Sequence, residues 1–320
     1  MFLCPQCKRT MTMPQCACGY VVPEQNGIWQ LSDAPDMITM GEGDKYIGYE
    51  HIGESYSGQR KFLIEERDAL FAKVISDKAK DGIFLDLACG DGCFTVPTAA
   101  NGTRIIAGDI SNRMLSILKK KAAHNGISLE QTVLCRMNAL EIPLADESVD
   151  VVVANSVLHL ISNPQRVISE IWRVLKQGGI FLCGEDAPGK NPGAILDNSL
   201  YNEIVNSLYG EYWKRLSALG ILPKRYRWKF DREATCTALF SRREETMVER
   251  GMPYETPLKD GFLPRFLGRG FSDQADVPPA LHEEVTKALL SDFEKQYGAD
   301  FAEISFHGVE DDLQIIAYYK

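Results

Sequence analysis

Ile83-Phe84-Leu85-Asp86-Leu87-Ala88-Cys89-Gly90-Asp91-Gly92 is the stretch that decides the fold of this chain. Its apolar run is typical of a buried strand, and it ends in an acid followed by a turn of small residues and a helical pattern. Glycines in such a turn let a ligand approach the backbone, while the N-terminus of the next helix offers N–H groups. The stretch therefore predicts a site for a nucleotide-type ligand at the edge of a parallel sheet.

A second acid follows at the end of the next apolar run. The run Arg104-Ile105-Ile106-Ala107-Gly108-Asp109 places Asp109 23 residues after Asp86. An acid in this position can accept hydrogen bonds from both hydroxyl groups of a ribose. We therefore expect Asp109 to hold the sugar of the ligand.

The strand pattern continues along the chain. Helical patterns separate five predicted strands, at residues 82–88, 104–109, 131–136, 149–155 and 179–185. This alternation predicts βαβ units and an α/β fold with a doubly wound parallel sheet. Because ligands bind beyond the carboxyl ends of such strands, Asn138, Asn155 and Glu185 are expected around the same crevice as Asp109.

Several of these motifs together resemble those of a known family, the class I S-adenosyl-L-methionine (SAM)-dependent methyltransferases of the type 11-like kind. They come in that family's order, as its first motif at 84–92, its second at 108–111, its adenine-side loop and fourth strand at 138–153, and its helix and turn before the fifth strand at 170–179. The resemblance implies a Rossmann-like sheet and SAM as the cofactor.

The resemblance also implies which residues contact the cofactor. Ala88 stands where many members have the first glycine, and its methyl group is small enough to keep the turn. Asn138 stands where many members have an acid, and its amide can contact adenine through either the carbonyl or the NH2 group. The implied cofactor-binding set is Asp86, Ala88, Cys89, Gly90, Gly92, Asp109, Ile110, Asn138, Ala139 and Asn155.

A cluster of cysteines opens the chain, as Cys4-Pro5-Gln6-Cys7 and Cys16-Ala17-Cys18-Gly19. Four thiolates suit tetrahedral Zn²⁺, and a segment this short has no core of its own, so a metal would supply its folding energy. Disulfides and unpaired surface thiols are the alternatives. The other five cysteines lie mostly in apolar runs and are expected to be core residues in a reducing compartment. The predicted metal ligands are Cys4, Cys7, Cys16 and Cys18.

The N-terminal ribbon (residues 1–33) resembles zinc ribbons that precede some bacterial methyltransferase domains, including a family that methylates guanine N1 of 23S rRNA. Gln59-Arg60-Lys61-Phe62-Leu63 is similar to the Arg-rich helix of that family. The ribbon of that family includes a histidine ligand, and this sequence has no histidine near its cysteines. The basic run at 224–232 predicts either a surface that binds RNA or a solvated face whose aromatics are core.

The chain is long enough for more than one unit. Residues 40–58 are rich in glycine and tyrosine, and they predict either a cover over the cofactor or a plain linker. The predicted division is a zinc ribbon at 1–33, a lid or linker with a helix at 34–80, a SAM-binding core at 81–186, a helical substrate cap at 187–295 and a closing β-hairpin of the core sheet at 296–320.

The overall charge of −9 disfavours polyanions as partners, although a local basic patch can outweigh it. No apolar run approaches the length of a membrane span, and the chain opens on cysteines rather than on a signal peptide. We therefore expect a cytoplasmic protein without a membrane partner. The pattern leaves the oligomeric state open.

Methyl transfer from a sulfonium is an in-line displacement, which needs a base only when the acceptor carries a proton of high pKa. The weak candidates for such a base are His159, His51 and Glu185, with Asp186 beside the last. The leading hypothesis is a methyltransferase acting on a small molecule under the helical cap. The alternatives are an rRNA guanine-N1-type enzyme and a non-catalytic module that binds SAM or zinc.

Overall fold

A nine-stranded sheet lies at the centre of the molecule. The computed structural model describes residues 1–35, 49, 53, 62–187, 197–223, 230–248, 253–274, 277–309 and 312–320. Across the sheet the strands follow in the order β10 (Arg242–Val248), β13 (Asp312–Tyr319), β9 (Leu175–Ala187), β8 (Val149–Val153), β5 (Ile83–Leu87), β6 (Arg104–Asp109), β7 (Thr132–Arg136), β4 (Ile28–Gln30) and β3 (Glu24–Gln25). The α/β class and the Rossmann-like sheet that the sequence predicts are confirmed.

The parallel centre of the sheet consists of the five predicted strands. They are β5 (Ile83–Leu87), β6 (Arg104–Asp109), β7 (Thr132–Arg136), β8 (Val149–Val153) and β9 (Leu175–Ala187). The last strand begins earlier than predicted because Leu175 already pairs with Val149, before a shift in register. Because β5 and β6 are parallel, Asp86 near the end of β5 and Asp109 at the end of β6 lie at the same edge of the sheet, where the carboxyl ends of the strands are.

Helices cover both faces of this sheet. One face holds α1 (Glu66–Ala79), α2 (Thr95–Ala100) and α3 (Asn112–His124), and the other holds α4 (Pro164–Val174). The helix predicted within residues 34–80 is α1, which begins at Glu66. Its buried Phe71 and Ile75 pack against apolar residues of the parallel strands.

The predicted closing hairpin is wrong in one of its two strands. β13 (Asp312–Tyr319) joins the core sheet, antiparallel to β9, but its other neighbour is β10 (Arg242–Val248). β12 (Ser305–Val309) pairs instead with β11 (Pro253–Pro257) in a separate sheet. β10 occupies the edge of β13 because it pairs along that strand from Arg242 to Val248. The charged side chains of β10 then face solvent at the new edge of the sheet.

The region predicted as a helical cap is therefore split. Its helices α5 (Ser199–Ala218), α7 (Phe262–Leu267) and α8 (Pro279–Tyr297) share an aromatic core of their own. The intervening helix α6 (Arg232–Leu239) packs on the core domain through buried Cys236, next to β10. Residues 230–248 thus belong to the core and separate two parts of the cap.

The N-terminal ribbon is also less separate than predicted. It contains two small hairpins, β1 (Phe2–Leu3) with β2 (Thr10–Met11) and β3 (Glu24–Gln25) with β4 (Ile28–Gln30). Strand β4 pairs in parallel with β7, so the ribbon extends the core sheet at that edge.

Most of the predicted cover lies outside the described residues, including Tyr46, His51 and Tyr56. Of this stretch the structure places Tyr49, which is half-buried, and Gly53, which is buried. No helix in the part of the chain that the structure describes is long and apolar enough to cross a membrane.

Candidate SAM site and cysteine cluster

The turn after β5 has an alternating left-handed backbone. The φ angles are 58° at Ala88, 55° at Gly90 and 81° at Gly92. Glycine adopts such angles without strain, whereas a residue with a Cβ raises the energy of the folded state by roughly 1–2 kcal/mol. A Cβ on Gly92 would lie 2.6 Å from the Leu118 Cγ atom, so this position also lacks space. The sequence reading of a small-residue turn therefore has a geometric basis, with Ala88 as its one strained member.

Asp109 ties this turn to the next strand. Its carboxylate is buried and accepts hydrogen bonds from the backbone N–H of Gly90 and of Ser111, both at 2.9 Å. A carboxylate has about four acceptor positions, and its oxygens suit ribose hydroxyls as donors. Asp109 can thus shape the turn and bind a ligand at the same time.

Asp86 lies beneath the turn and is buried. The Thr95 hydroxyl donates to its Oδ2 atom at 2.6 Å. Burial raises the pKa of Asp86 to about 7, which outweighs the opposing effect of the Thr95 hydrogen bond. Burial likewise raises the pKa of Cys89 well above its ordinary value, so this thiol remains protonated and is a packing residue rather than a nucleophile.

Asp86→Asn should remove a pH dependence of stability. The pKa of Asp86 is 3.8 in the unfolded reference and about 7 in the fold. Its stabilising contribution is therefore complete below about pH 4 and is lost as the pH rises to about 7, by at most about 4 kcal/mol. Urea unfolding of the ligand-free protein between about pH 5 and 8 should show a steeper loss for the wild type than for Asp86→Asn. Parallel curves would contradict a buried, proton-binding Asp86.

Ala88 offers a test of the turn geometry. Valine at a φ of 58° is a severe outlier, so Ala88→Val should lower the free energy of unfolding by about 2 kcal/mol or more and weaken SAM binding. Ala88→Gly relieves strain but loosens the unfolded chain, so its net effect should stay within about 1 kcal/mol. Ala100→Val, at an exposed helix position, is the matched control for the added methyl groups. Equal losses at positions 88 and 100 would refute strain at the turn.

The adenine-side loop (residues 138–145) follows β7. Asn138 begins it, and its Oδ1 atom accepts a hydrogen bond from the Leu140 N–H at 3.0 Å, while the Glu141 N–H donates to the Asn138 carbonyl at 3.1 Å. Because the loop uses the side-chain carbonyl, the NH2 group of Asn138 is the part that suits a ring nitrogen of adenine. Ala139 is half-buried beside it.

The four N-terminal cysteines converge as predicted. Their sulfur atoms all lie within 4.8 Å of one another, with the Cys4–Cys18 and Cys7–Cys16 pairs each at 3.6 Å. A tetrahedral ion with Zn–S bonds of about 2.3 Å needs sulfur separations of about 3.8 Å. The donor set and its dimensions therefore fit a zinc ion. None of these cysteines forms a disulfide.

Two similar turns present these sulfur atoms. In the first, the Cys4 N–H donates to the Arg9 carbonyl and the Lys8 N–H donates to the Cys4 carbonyl, with Lys8 at a φ of 59°. Hydrogen bonds from the backbone and then the side chain of Arg9 lower the pKa of Cys7 to about 6, which favours its thiolate.

The second turn repeats this pattern with one residue fewer. The Cys16 N–H donates to the Tyr20 carbonyl, the Gly19 N–H donates to the Cys16 carbonyl, and Gly19 has a φ of 91°. The C-x-C spacing at Cys16 and Cys18 therefore closes a turn much like that of the commoner C-x2-C spacing, which explains how an unusual motif completes the cluster.

Comparison with known proteins identifies the core. Residues 85–183 match a family described as Methyltransferase domain. Demethylmenaquinone methyltransferase of Bacillus cereus is 26% identical over 173 residues, which cover 52% of this chain and 72% of that protein. Residues 85–183 form a SAM-dependent methyltransferase domain.

Among solved structures, this methyltransferase is similar to the YcgJ protein of Bacillus subtilis, at 17% identity and a TM-score of 0.44, over 79% of this chain and 97% of that one. It is also similar to geranyl diphosphate C-methyltransferase of Streptomyces coelicolor, crystallised with S-adenosyl-L-homocysteine, at 16% identity and a TM-score of 0.37, over 79% and 76% of the two chains.

Of the three candidate bases, the structure describes the side chain of His159 but not those of His51 and Glu185. His159 is exposed in a short 3-10 turn, Leu158–Leu160, after β8. The backbone of Glu185 lies in β9 opposite Gln314, but its side chain is outside the described part of the chain, as is all of His51. The sequence did not indicate Ser156, which has a φ of 53° and follows half-buried Asn155 just beyond the carboxyl end of β8. Neither a serine nor its neighbours in the sequence indicate a positive φ, so this feature is visible only in the structure.

A second feature missed from the sequence is an ionic clamp on the adenine-side loop. Glu170 is only 3% exposed, and its carboxylate accepts hydrogen bonds from the Ile142 N–H at 2.9 Å and from the Arg173 guanidinium at 2.7 and 3.0 Å. Arg173 also donates to the carbonyls of Ile142 and Leu144. The motif resemblance included Glu170 and Arg173, but their spacing on α4 did not show which loop they hold.

Proposed function

We propose that this enzyme transfers the methyl group of SAM to a small organic acceptor held beside the cap. One observation carries the proposal. The chain leaves the core sheet for the cap twice, both times at the ligand edge, which is the edge of the sheet where the carboxyl ends of the parallel strands lie. β9 ends there at Ala187, opposite Asp312, and β10 ends there at Val248, opposite Leu313. Substrate-binding insertions of open α/β sheets are expected at this edge, because the cofactor binds there.

Each cofactor contact has a proposed role. The turn at Ala88, Cys89, Gly90 and Gly92 lets the amino-acid part of SAM approach the backbone. Asp109 accepts from the ribose hydroxyls, and Ile110 follows it directly in the chain. Asn138 and Ala139 flank the adenine, while Asn155 stands at the end of the neighbouring strand. Asp86 supports the turn from below through Thr95.

The chemistry asks little more of the protein than alignment. SAM, when bound, supplies an electrophilic methyl group on a sulfonium. The chain's own residues hold the acceptor in line and exclude water, and an acceptor without a proton of high pKa needs no base. We therefore assign no catalytic role to His159, His51 or Glu185.

A small acceptor is favoured over RNA. The relatives named above include one whose name gives demethylmenaquinone as its acceptor. The net charge is −9, which disfavours a polyanion. Most of the basic run at 224–232 lies outside the described residues, but Phe230 packs against the core and Asp231 caps α6 through the Ala234 N–H at 2.9 Å. That end of the run has a structural use.

The test is a transfer assay with methyl-labelled SAM and fractionated cell extract. We expect label in the small-molecule or organic-solvent fraction and no RNase-sensitive label. Label in RNA that disappears after RNase treatment would overturn the proposal in favour of an rRNA-type enzyme. Binding of SAM with no label in any fraction would instead indicate a non-catalytic module. Asp109→Ala serves as the blank for cofactor-dependent transfer.

We also propose that Cys4, Cys7, Cys16 and Cys18 bind one structural Zn²⁺. The sulfur separations and the two closed turns support a four-thiolate site without an open position for chemistry. Protein purified without chelator should contain about one zinc per chain by atomic emission. Cys16→Ser, at a buried ligand, should lose that metal, whereas Cys183→Ser, at a buried cysteine of the core sheet, should keep it. Metal-free wild type would exclude the site.

A further inference from the structure

The N-terminal ribbon packs against the cofactor half of the core at several points. Phe2 forms a bridge with Leu144, the Leu3 N–H donates to the Pro143 carbonyl at 2.9 Å, and the Ala145 N–H donates to the Met1 carbonyl at 2.7 Å. These bonds reach the adenine-side loop from the outside. The loop is therefore held between the ribbon on one side and the Glu170–Arg173 clamp on the other.

Arg136 makes a second connection. This residue ends β7, and its Nε atom donates to the Ile110 carbonyl at 3.0 Å. The two other guanidinium nitrogens donate to the carbonyl of Ser32 at 2.8 Å and to that of Ala34. One planar side chain thus joins the carbonyl of Ile110, the residue after Asp109, to the chain that leaves the ribbon.

A third connection completes this contact. The side-chain amides of Gln30 and Asn112 exchange two hydrogen bonds, each at 3.1 Å. Asn112 is the first residue of α3, three positions after Asp109. The ribbon therefore contacts the ribose side of the site through Gln30 and Ser32, and the adenine side through Phe2 and Leu3.

The same apolar core links these contacts to the cysteines. Cys4 and Cys16 are buried in it together with Phe2, Leu31, Met137 and Leu144. The metal would join the two cysteine turns and would add to the apolar contacts that the ribbon shares with the core. Loss of the metal would therefore loosen the strands that carry Phe2 and Gln30, which support the adenine side and the ribose side of the cofactor site.

We propose that the ribbon is the outer wall of the adenosine half of the SAM site, so that metal binding at the cysteines sets cofactor affinity, with Arg136 as the main positioning residue. The inference rests on the proposed zinc site and deepens it. Thermodynamic linkage requires the effect to be reciprocal, so the cofactor must also tighten the retention of zinc by the same factor.

The experiment measures S-adenosylhomocysteine binding by calorimetry on the full chain, zinc-loaded and after chelation. We expect zinc removal to weaken binding by roughly 5- to 150-fold, the usual range of coupling between two sites. Zinc release to a colorimetric chelator should be slower in the presence of S-adenosylhomocysteine. Protein that contains no zinc would overturn both the metal site and the coupling. Zinc-loaded and zinc-free proteins with equal affinity would overturn the coupling alone.

Arg136→Lys keeps the experiment decisive even if the zinc-free chain unfolds. Lysine retains the charge but cannot bridge three carbonyls, so the zinc-loaded variant should bind S-adenosylhomocysteine several-fold more weakly while it keeps its metal. Arg215→Lys, which alters an exposed ion pair with Asp292 in the cap, is the matched control and should bind normally. Normal affinity in Arg136→Lys would refute its positioning role.

Discussion

Asp109→Ala should abolish measurable SAM binding, with a loss of about 100-fold or more. The Asp109 carboxylate is buried and accepts from the N–H groups of Gly90 and Ser111. Alanine would leave both groups without this acceptor and would remove the proposed acceptor for the ribose hydroxyls. Each hydrogen bond to a charged group contributes about 1.5–3 kcal/mol, and two such losses reach this factor.

The measurement is calorimetric titration with SAM and with S-adenosylhomocysteine. Asp109→Asn keeps one carbonyl acceptor and should lie between the wild type and Asp109→Ala. Asp77→Ala, which removes an exposed acid on α1, controls for the loss of a negative charge and should bind normally. Near-normal affinity in Asp109→Ala would show that the ribose is held elsewhere.

The backbone geometry of the candidate SAM site could be predicted from the sequence because its signals are local. The turn from Ala88 to Gly92 could be predicted because positive φ angles favour glycine and because Gly92 has no space for a Cβ beside Leu118. Asp109 could be predicted for a similar reason, because its place at the end of a strand follows from the apolar pattern. The spacing of the four cysteines alone predicts that they form a cluster.

The remaining features depend on contacts between segments that are distant in sequence. Nothing in Arg242 to Val248 shows that these residues, rather than Ser305 to Val309, cover the edge of β13. Charged residues at a sheet edge look like an exposed loop in sequence. The union of β4 with β7 is hidden in the same way, because a three-residue strand gives no periodicity to detect.

Glu170→Ala should destabilise the protein more than any other single change considered, by about 3–5 kcal/mol. It removes a carboxylate that is 3% exposed and leaves the Arg173 guanidinium and the Ile142 N–H without it. Breaking a buried ion pair by removing one partner costs up to this much. The loss should lie at the lower end of the range, because Arg173 is 24% exposed and keeps its ion pair with Asp146 at 2.8 Å. The free energy of unfolding in urea is the measurement.

Two variants separate the buried clamp from its exposed arm. Arg166 also reaches Glu170, at 3.1 Å, but its side chain is 52% exposed, so Arg166→Ala should cost no more than about 1 kcal/mol. Glu170→Gln keeps the shape and one acceptor and should fall between the two. Because Glu170 and Arg173 hold the adenine-side loop at Ile142, Glu170→Ala should also weaken SAM binding, whereas Arg166→Ala should not. Equal losses in the two alanine variants would mean that Glu170 acts as an ordinary surface charge and that the loop is held from the ribbon side alone.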